Sequence, residues 1–118
     1  MEELLRLSFL YDIYGKLLTK TQKEVFVYYY GEDLSMNEIA KNIGISKQAV
    51  SENLKRAQEN LEQFEKNLGY LEKNQYLSLY LEDMARGIED LKNLNPTPEQ
   101  EEILDQLKNK TGEIYKRM

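Results

Sequence analysis

Polar side chains that can read the edges of DNA bases are concentrated between residues 46 and 56. Glutamine can pair with adenine through two hydrogen bonds, lysine binds guanine or phosphate, and glutamate accepts from the cytosine amino group. Lys47 and Gln48 stand at the start of this segment, where a helix in the major groove makes its base contacts. The residues that we predict to face DNA are Ser46, Lys47, Gln48, Ser51, Glu52, Lys55 and Arg56.

The chain has few residues that could support catalysis or bind a metal ion. The chain has no histidine and no cysteine, which removes the commonest general base and all thiolate ligands. Neighbouring carboxylates occur at Glu82-Asp83, Glu89-Asp90 and Glu101-Glu102. Adjacent residues on a helix point about 100° apart, so these pairs do not converge on one ion and indicate a solvated acidic face. We therefore predict no catalytic residue, no metal and no cofactor, and a protein that is not an enzyme.

A helix-turn-helix would position the base-reading residues. The stretch EIAKNIGISKQAV, residues 38–50, has apolar residues where two short helices must lock together. Ala40 is small where the helices would cross, Gly44 supplies the turn, and Ser46 can cap the second helix. The apolar positions are Ile39, Ile43, Ile45 and Val50. These constraints favour a true helix-turn-helix over a generic helical hairpin, but they do not by themselves establish DNA binding.

The rest of the chain predicts an all-α fold. Serine or threonine followed three residues later by glutamine or glutamate marks a helix start, because the two side chains satisfy each other's backbone N–H groups. This pattern occurs at Thr19, Ser35 and Thr97. Apolar spacing predicts helices over residues 3–18, 19–30, 36–42, 46–68, 71–94 and 98–110, the first with an apolar stripe through Leu7, Leu10, Tyr14 and Leu17.

The predicted recognition helix is unusually long. Its apolar residues alternate in steps of four and three, which is the spacing of helices that pack along a seam: Val50, Leu54, Ala57, Leu61, Phe64, Leu68 and Leu71. A second stripe follows at Leu77, Leu81, Met84, Ile88 and Leu91. The stripes could pair within one chain or between two copies, and the number of apolar residues favours a homodimer. Gly69 suggests a boundary between a helix-turn-helix domain, 1–68, and a helical appendage, 69–118, that packs on it or forms the dimer interface.

Charge is unevenly distributed along the chain. The net charge is −5, yet residues 19–60 hold six basic and six acidic residues, while residues 61–118 hold eight and twelve. Lys41, Lys47, Lys55 and Arg56 could neutralise only ~3 to 4 phosphates per copy, so one copy should bind DNA weakly. No segment has the form of a secretion signal or membrane span, which predicts a soluble cytoplasmic protein.

The run LTKTQKEVFVYYYGEDLSMNEIAKNIGISKQAVSENLKRAQENL, residues 18–61, resembles region 4 of sigma factors. Over nearly its full length, and most specifically in YDIYGKLLTKTQ and YYYGEDLSMNEIA, the chain resembles the bacterial YlxM family of small helix-turn-helix proteins. Sigma recognition helices are typically rich in arginine, whereas this chain has Ser51, Glu52 and Asn53. The acidic helices after Leu61 have no sigma counterpart.

The YlxM resemblance implies a regulatory role in protein targeting, because genes of that family commonly neighbour those of the signal recognition particle GTPase or its receptor. Two hypotheses therefore stay open from the sequence. The chain is either a regulator that contacts components of the signal recognition particle, with or without binding DNA, or a sequence-specific transcriptional regulator unrelated to protein targeting. The resemblance brings no catalytic residues.

Overall fold

The computed structural model describes residues 2–118, and over that range the chain is all-α, which confirms the predicted fold class. It consists of α1 (Glu3–Tyr14), α2 (Lys20–Phe26), α3 (Met36–Ile43), α4 (Lys47–Leu68), α5 (Tyr70–Lys92) and α6 (Pro98–Lys116). A 3-10 turn, Gly15–Leu17, follows α1, and a π-helical turn, Val27–Gly31, extends α2. The chain divides into two compact units, the first ending at Leu71 and the second comprising Glu72–Met118.

Local side-chain chemistry fixes three of the helix starts, as predicted. In each of them a hydroxyl accepts from the backbone N–H three residues later, and the longer side chain accepts from the capping residue's own N–H. The pairs are Thr19 with Gln22, Ser35 with Glu38, and Thr97 with Gln100. A cap of this kind contributes about 1 kcal/mol to helix stability, so local side-chain chemistry favours these three starting points.

The predicted extension of the first helix to residue 18 is wrong. The helix ends at Tyr14, and the following 3-10 turn leaves Leu17 59% exposed, while Leu18 takes the buried position. Gly15 lies at this ending, and a Cβ atom there would lie 3.0 Å from the ring of Tyr11. The chain turns closely against that ring, which only glycine permits without displacement.

The apolar stripe of α4 is covered within the first unit by helices that precede it in the chain. Residues from α1, the turn after it, α2, α4 and the start of α5 form one buried cluster: Leu7, Leu10, Tyr14, Leu18, Phe26, Ala57, Leu61 and Leu71. Phe64 packs against this cluster, whereas Leu68 is 40% exposed. The apolar side of α4 is therefore part of the core of the first unit.

A buried carboxylate joins α4 to the start of α5. Gly69 ends α4 in the left-handed conformation with φ 67°, as its position in the sequence predicts. Glu65 Oε1 accepts a hydrogen bond from the Tyr14 hydroxyl at 2.6 Å and another from the Leu71 backbone N–H at 3.0 Å. The Tyr14 hydroxyl in turn accepts from the Tyr70 N–H at 3.1 Å. This network caps α5 and attaches its first turn to α1.

The second unit is an antiparallel hairpin of two long helices, α5 and α6. Lys92 forms ion pairs with Glu101 and Asp105 across the connection between them. The apolar stripe predicted for α5 splits into two rows, because Leu81 and Ile88 are buried while Leu77, Met84 and Leu91 are exposed.

The last helix is longer than predicted. We expected an ending near residue 110, but α6 continues to Lys116. Thr111 is buried, and its hydroxyl donates to the Leu107 carbonyl oxygen at 2.8 Å, so the residue stays inside the helix instead of breaking it. Gly112 lacks positive φ and is accommodated in the helical conformation.

Candidate nucleic-acid interface

The helix-turn-helix is built from α3, the turn at Gly44 and the first turns of α4. The backbone N–H of Ser35 donates to Glu38 Oε1 at 3.1 Å, and this hydrogen bond lowers the pKa of Glu38. Gly44 adopts φ 72° and ψ 35°, the left-handed conformation that ends α3. Ser46 then begins α4, its hydroxyl accepting from the Ala49 N–H at 3.0 Å. Ser35 and Ser46 therefore cap the starts of the two helices, and Gly44 forms the turn between them.

A dry core fixes the orientation of α4. Val25, Ile39 and Val50 have no exposed surface, and Leu54 is only 5% exposed. These four residues form one cluster, with Ala40, Ile43 and Ile45 packed against it. Because three different helices contribute to this cluster, α4 cannot rotate about its axis without opening a cavity. The opposite side of its first turns is therefore presented to solvent in a defined orientation.

All seven residues that we predicted to face DNA are exposed. Successive residues turn by about 100° on a helix, which places Gln48, Ser51 and Lys55 roughly 100° to 160° around α4 from Val50. Lys47 lies only about 60° from Val50 and is exposed because it begins the helix. Lys55 lies 3.9 Å from Glu59, an exposed pair that a phosphate could replace at small cost because such pairs contribute little. The structure thus brings Gln48, Ser51 and Lys55, three of the seven predicted residues, to one surface.

Glu52 and Arg56 lie toward a neighbouring cleft. This cleft, about 560 Å³ in volume, lies between α4 and the residues that begin α2. It is lined by Thr19, Thr21, Gln22, Ile45, Ala49, Glu52, Asn53 and Arg56. Both the carboxylate and the guanidinium therefore border a recess beside the surface formed by Gln48, Ser51 and Lys55. The seven predicted residues therefore form two adjacent groups. Glu52 and Arg56 lie at the cleft, and the other five are exposed along the first turns of α4.

Sequence analysis missed the part of this surface that α2 contributes. Thr19 and Thr21 line the cleft, and Lys20, between them in the chain, is exposed. The capping box at Thr19 was the available signal, since it marks a helix end where polar groups collect, but only the packing of α2 on α4 shows what lies beside it. Asn53 is half-buried and its amide donates to the Ala49 carbonyl at 2.8 Å, so this donor is engaged within α4.

Residues 2–118 contain neither a cluster of metal-binding side chains nor a helix suited to crossing a membrane. No group of three or more acidic, histidine or cysteine side chains lies close enough to hold a metal ion in this range. None of the helices described there combines the length and apolar character that a membrane crossing requires.

Comparison with known proteins identifies the family. The family described as "Putative helix-turn-helix protein, YlxM / p13 like", UPF0122, matches residues 1–109. A UPF0122 protein of Thermoanaerobacter sp. strain X514 is 36% identical over 113 residues, covering 96% of this chain and 97% of the relative. Another, from Clostridium kluyveri, is 39% identical over 109 residues, covering 92% and 95%. The chain therefore belongs to the UPF0122 family of YlxM- and p13-like helix-turn-helix proteins.

Proposed function

We propose that this protein is a regulator that binds duplex DNA through the first turns of α4. The observation that supports the proposal most directly is the exposure of Lys47 and Gln48 in the first turn of a helix that is held in place by the buried cluster of Ile39 and Val50. A rigid helix with polar residues at its free N-terminal end is the geometry that inserts into a major groove. Sequence preference then depends on the chemistry of those residues.

Each exposed residue has a role that follows from its chemistry. Gln48 can pair with adenine, and Lys47 can bind guanine or a phosphate, while Ser46 and Ser51 donate to either. Lys55 lies one turn later on the same side of the helix and suits the phosphates at the groove edge.

In the cleft, Arg56 adds a phosphate contact from the side of α2. Glu52 can accept from a cytosine amino group, and it repels the phosphates of sequences that place no donor opposite it. We therefore expect Glu52 to reduce nonspecific binding more than specific binding.

The affinity of one copy is limited by its small number of cations. With ~3 phosphates neutralised, the logarithm of the association constant should fall with the logarithm of salt concentration with a slope near −3. Two copies on half-sites about 34 Å apart would double the slope to roughly −6 and reach useful affinity. The proposal therefore includes a homodimer on DNA.

The first test is a DNA-binding selection followed by titration. Sequences enriched from a random duplex library are titrated with wild-type protein and with Lys47→Ala/Gln48→Ala by fluorescence anisotropy. Loss of two base-contacting side chains per copy should weaken specific binding by at least about 30-fold, since one good base contact contributes about 1 to 3 kcal/mol.

The matched control is Gln63→Ala/Lys66→Ala, which removes the same two side-chain types from exposed positions farther along α4. It should bind like the wild type. If no sequence is enriched, or if both double variants lose affinity equally, the proposed role of Lys47 and Gln48 in binding DNA is refuted.

A role within the protein-targeting pathway is the second candidate. It is supported by the carboxylate of Glu52 at the border of the cleft and by the excess of acids in residues 61–118, which suit a basic protein or an RNA-bound protein better than bare DNA. The resemblance to YlxM proteins gives the partners to test, namely the targeting GTPase, its receptor and the particle RNA. Immobilised wild-type protein should retain at least one of them, and failure to retain any removes this candidate.

A further inference from the structure

The second unit carries a large exposed apolar face, which we name the hairpin face. Seven residues form it, each between 43% and 57% exposed: Leu77, Tyr80, Met84, Leu91, Ile103, Leu107 and Ile114. Single exposed apolar residues are ordinary on protein surfaces, but continuous rows of them are not. Their arrangement along the two helices therefore needs a physical explanation.

The spacing of these residues is that of packed helices. On α5 they follow steps of three and four, with Gly87 completing the register between Met84 and Leu91. On α6, Ile103, Leu107 and Ile114 follow steps of four and seven. This register is typical of helices that pack lengthwise in bundles. A Cβ atom added at Gly87 would meet nothing within 4 Å, so this part of the row is open to an incoming helix.

Both rows lie on the same side of the hairpin. At about 100° per residue, the exposed row on each helix is rotated by roughly 30° to 90° in the same sense from the buried residues of that helix. The buried residues are Leu81 and Ile88 on α5 and Leu104 and Thr111 on α6. In an antiparallel pair whose buried rows face each other, equal rotations bring the two exposed rows onto one common surface. The hairpin thus has the form of half a four-helix bundle.

The size of the hairpin face fits a protein interface. A half-exposed side chain of this size contributes on the order of 80 Å², so the seven contribute about 550 Å². That area reaches the upper end of what monomeric proteins expose, and flanking residues bring it toward the roughly 800 Å² per partner of a standard interface. Between the helices, a further apolar cleft of about 290 Å³ is lined by Leu81, Ala85, Thr111 and Tyr115 among others. Two helices alone leave this unit incompletely packed.

The charge distribution identifies the partner. The carboxylates of the two helices lie off the exposed rows, including Glu82, Asp83, Glu89, Asp90, Glu102 and Asp105. Lys110 falls between Leu107 and Ile114 on α6, and no acidic residue occupies either row in residues 72–118. Two copies of this acidic protein can therefore meet here without bringing their carboxylates together. A basic partner would instead be drawn to the other sides of the hairpin.

We propose that the hairpin face is occupied by the hairpin face of a second copy, forming a four-helix bundle with two-fold symmetry. A two-fold arrangement uses one surface twice and closes without further growth. The dimer deepens the proposed function, because a DNA reader with few cations needs two copies, but its formation requires no DNA. Failure of association and failure of DNA binding are therefore separate results.

Sedimentation equilibrium of the full-length chain tests the proposal. The wild type should dimerise with a dissociation constant at or below about 10 µM. Met84→Glu/Leu107→Glu places one carboxylate in each row and should weaken association about 100-fold or more, because the charges would be buried without partners. Circular dichroism should show unchanged helix content.

The control is Leu79→Glu/Gln106→Glu, which adds the same two charges to the same helices at exposed positions outside the rows. It should dimerise like the wild type. If the first variant loses helix content, its mixture with Met84→Lys/Leu107→Lys decides the matter, since opposite charges on the two faces should restore a heterodimer. A monomeric wild type, equal effects of both glutamate variants, or no heterodimer in the mixture would overturn the proposal.

Discussion

Removing the Tyr14 hydroxyl should destabilise the first unit out of proportion to the size of the change. Tyr14 is 1% exposed, and its hydroxyl donates to the carboxylate of Glu65 at 2.6 Å. The substitution Tyr14→Phe keeps the ring and removes this contact together with the hydrogen bond that the hydroxyl accepts from the Tyr70 N–H. A hydrogen bond to a charged group contributes about 1.5 to 3 kcal/mol, so the free energy of unfolding should fall by about that amount.

Urea unfolding followed by circular dichroism at one fixed protein concentration measures this loss. The double-mutant cycle of Tyr14→Phe with Glu65→Gln should show a coupling of about 1 kcal/mol or more, since the two groups contact each other. Tyr115→Phe, at a half-exposed tyrosine, is the control and should change stability by less than about 0.5 kcal/mol. A loss below about 0.5 kcal/mol for Tyr14→Phe, with no coupling, would refute the capping role of this network.

The same contact predicts a pH dependence. Burial, and then the hydrogen bond to Glu65, raise the pKa of Tyr14 above its ordinary value of 10.0. Below that value the phenol is protonated in both folded and unfolded chains, and its contribution to stability is complete. As pH rises further the unfolded chain loses the proton first, so stability falls. Tyr14→Phe should therefore lose less stability than the wild type above about pH 10.

Two further predictions concern the helix-turn-helix, both measured by urea unfolding. Gly44→Ala should cost about 1 kcal/mol because φ is 72° there, whereas Gly112→Ala, inside α6 with open space around it, should stabilise by up to about 1 kcal/mol; equal effects would contradict the conformational explanation. Ser46→Ala should cost about 1 kcal/mol through loss of the cap to Ala49, and a neutral result would show that the cap contributes nothing.

Features determined by a few neighbouring residues could be predicted from the sequence. The capping pair Ser35 and Glu38, the turn at Gly44 and the ending at Gly69 all depend on local hydrogen bonds or backbone freedom. The inward residues of the helix-turn-helix were equally accessible, because burial of Ile39 and Val50 follows from helical periodicity. Local hydrogen bonds and the periodicity of a single helix were sufficient to predict these elements.

Features that depend on which helix lies opposite could not be predicted in this way. An apolar stripe shows that a helix needs a partner, but not where the partner lies. Leu61 is therefore buried by the N-terminal helices, while Met84, in an equally regular stripe, is exposed. The candidate site shows the same limit, since Thr21 becomes part of its cleft only through the packing of α2 against α4.

The proposed function depends on the binding of duplex DNA by two copies of the chain, each through the exposed side of α4. Its most direct test is the salt dependence of binding to an enriched duplex, measured for wild type and Lys47→Ala/Gln48→Ala between about 50 and 200 mM salt. The wild type should show a slope near −6 and lose about 1,000-fold or more in affinity over that range, while the variant binds more weakly and with a shallower slope. A wild-type slope near zero, or identical curves for the two proteins, would contradict the claim.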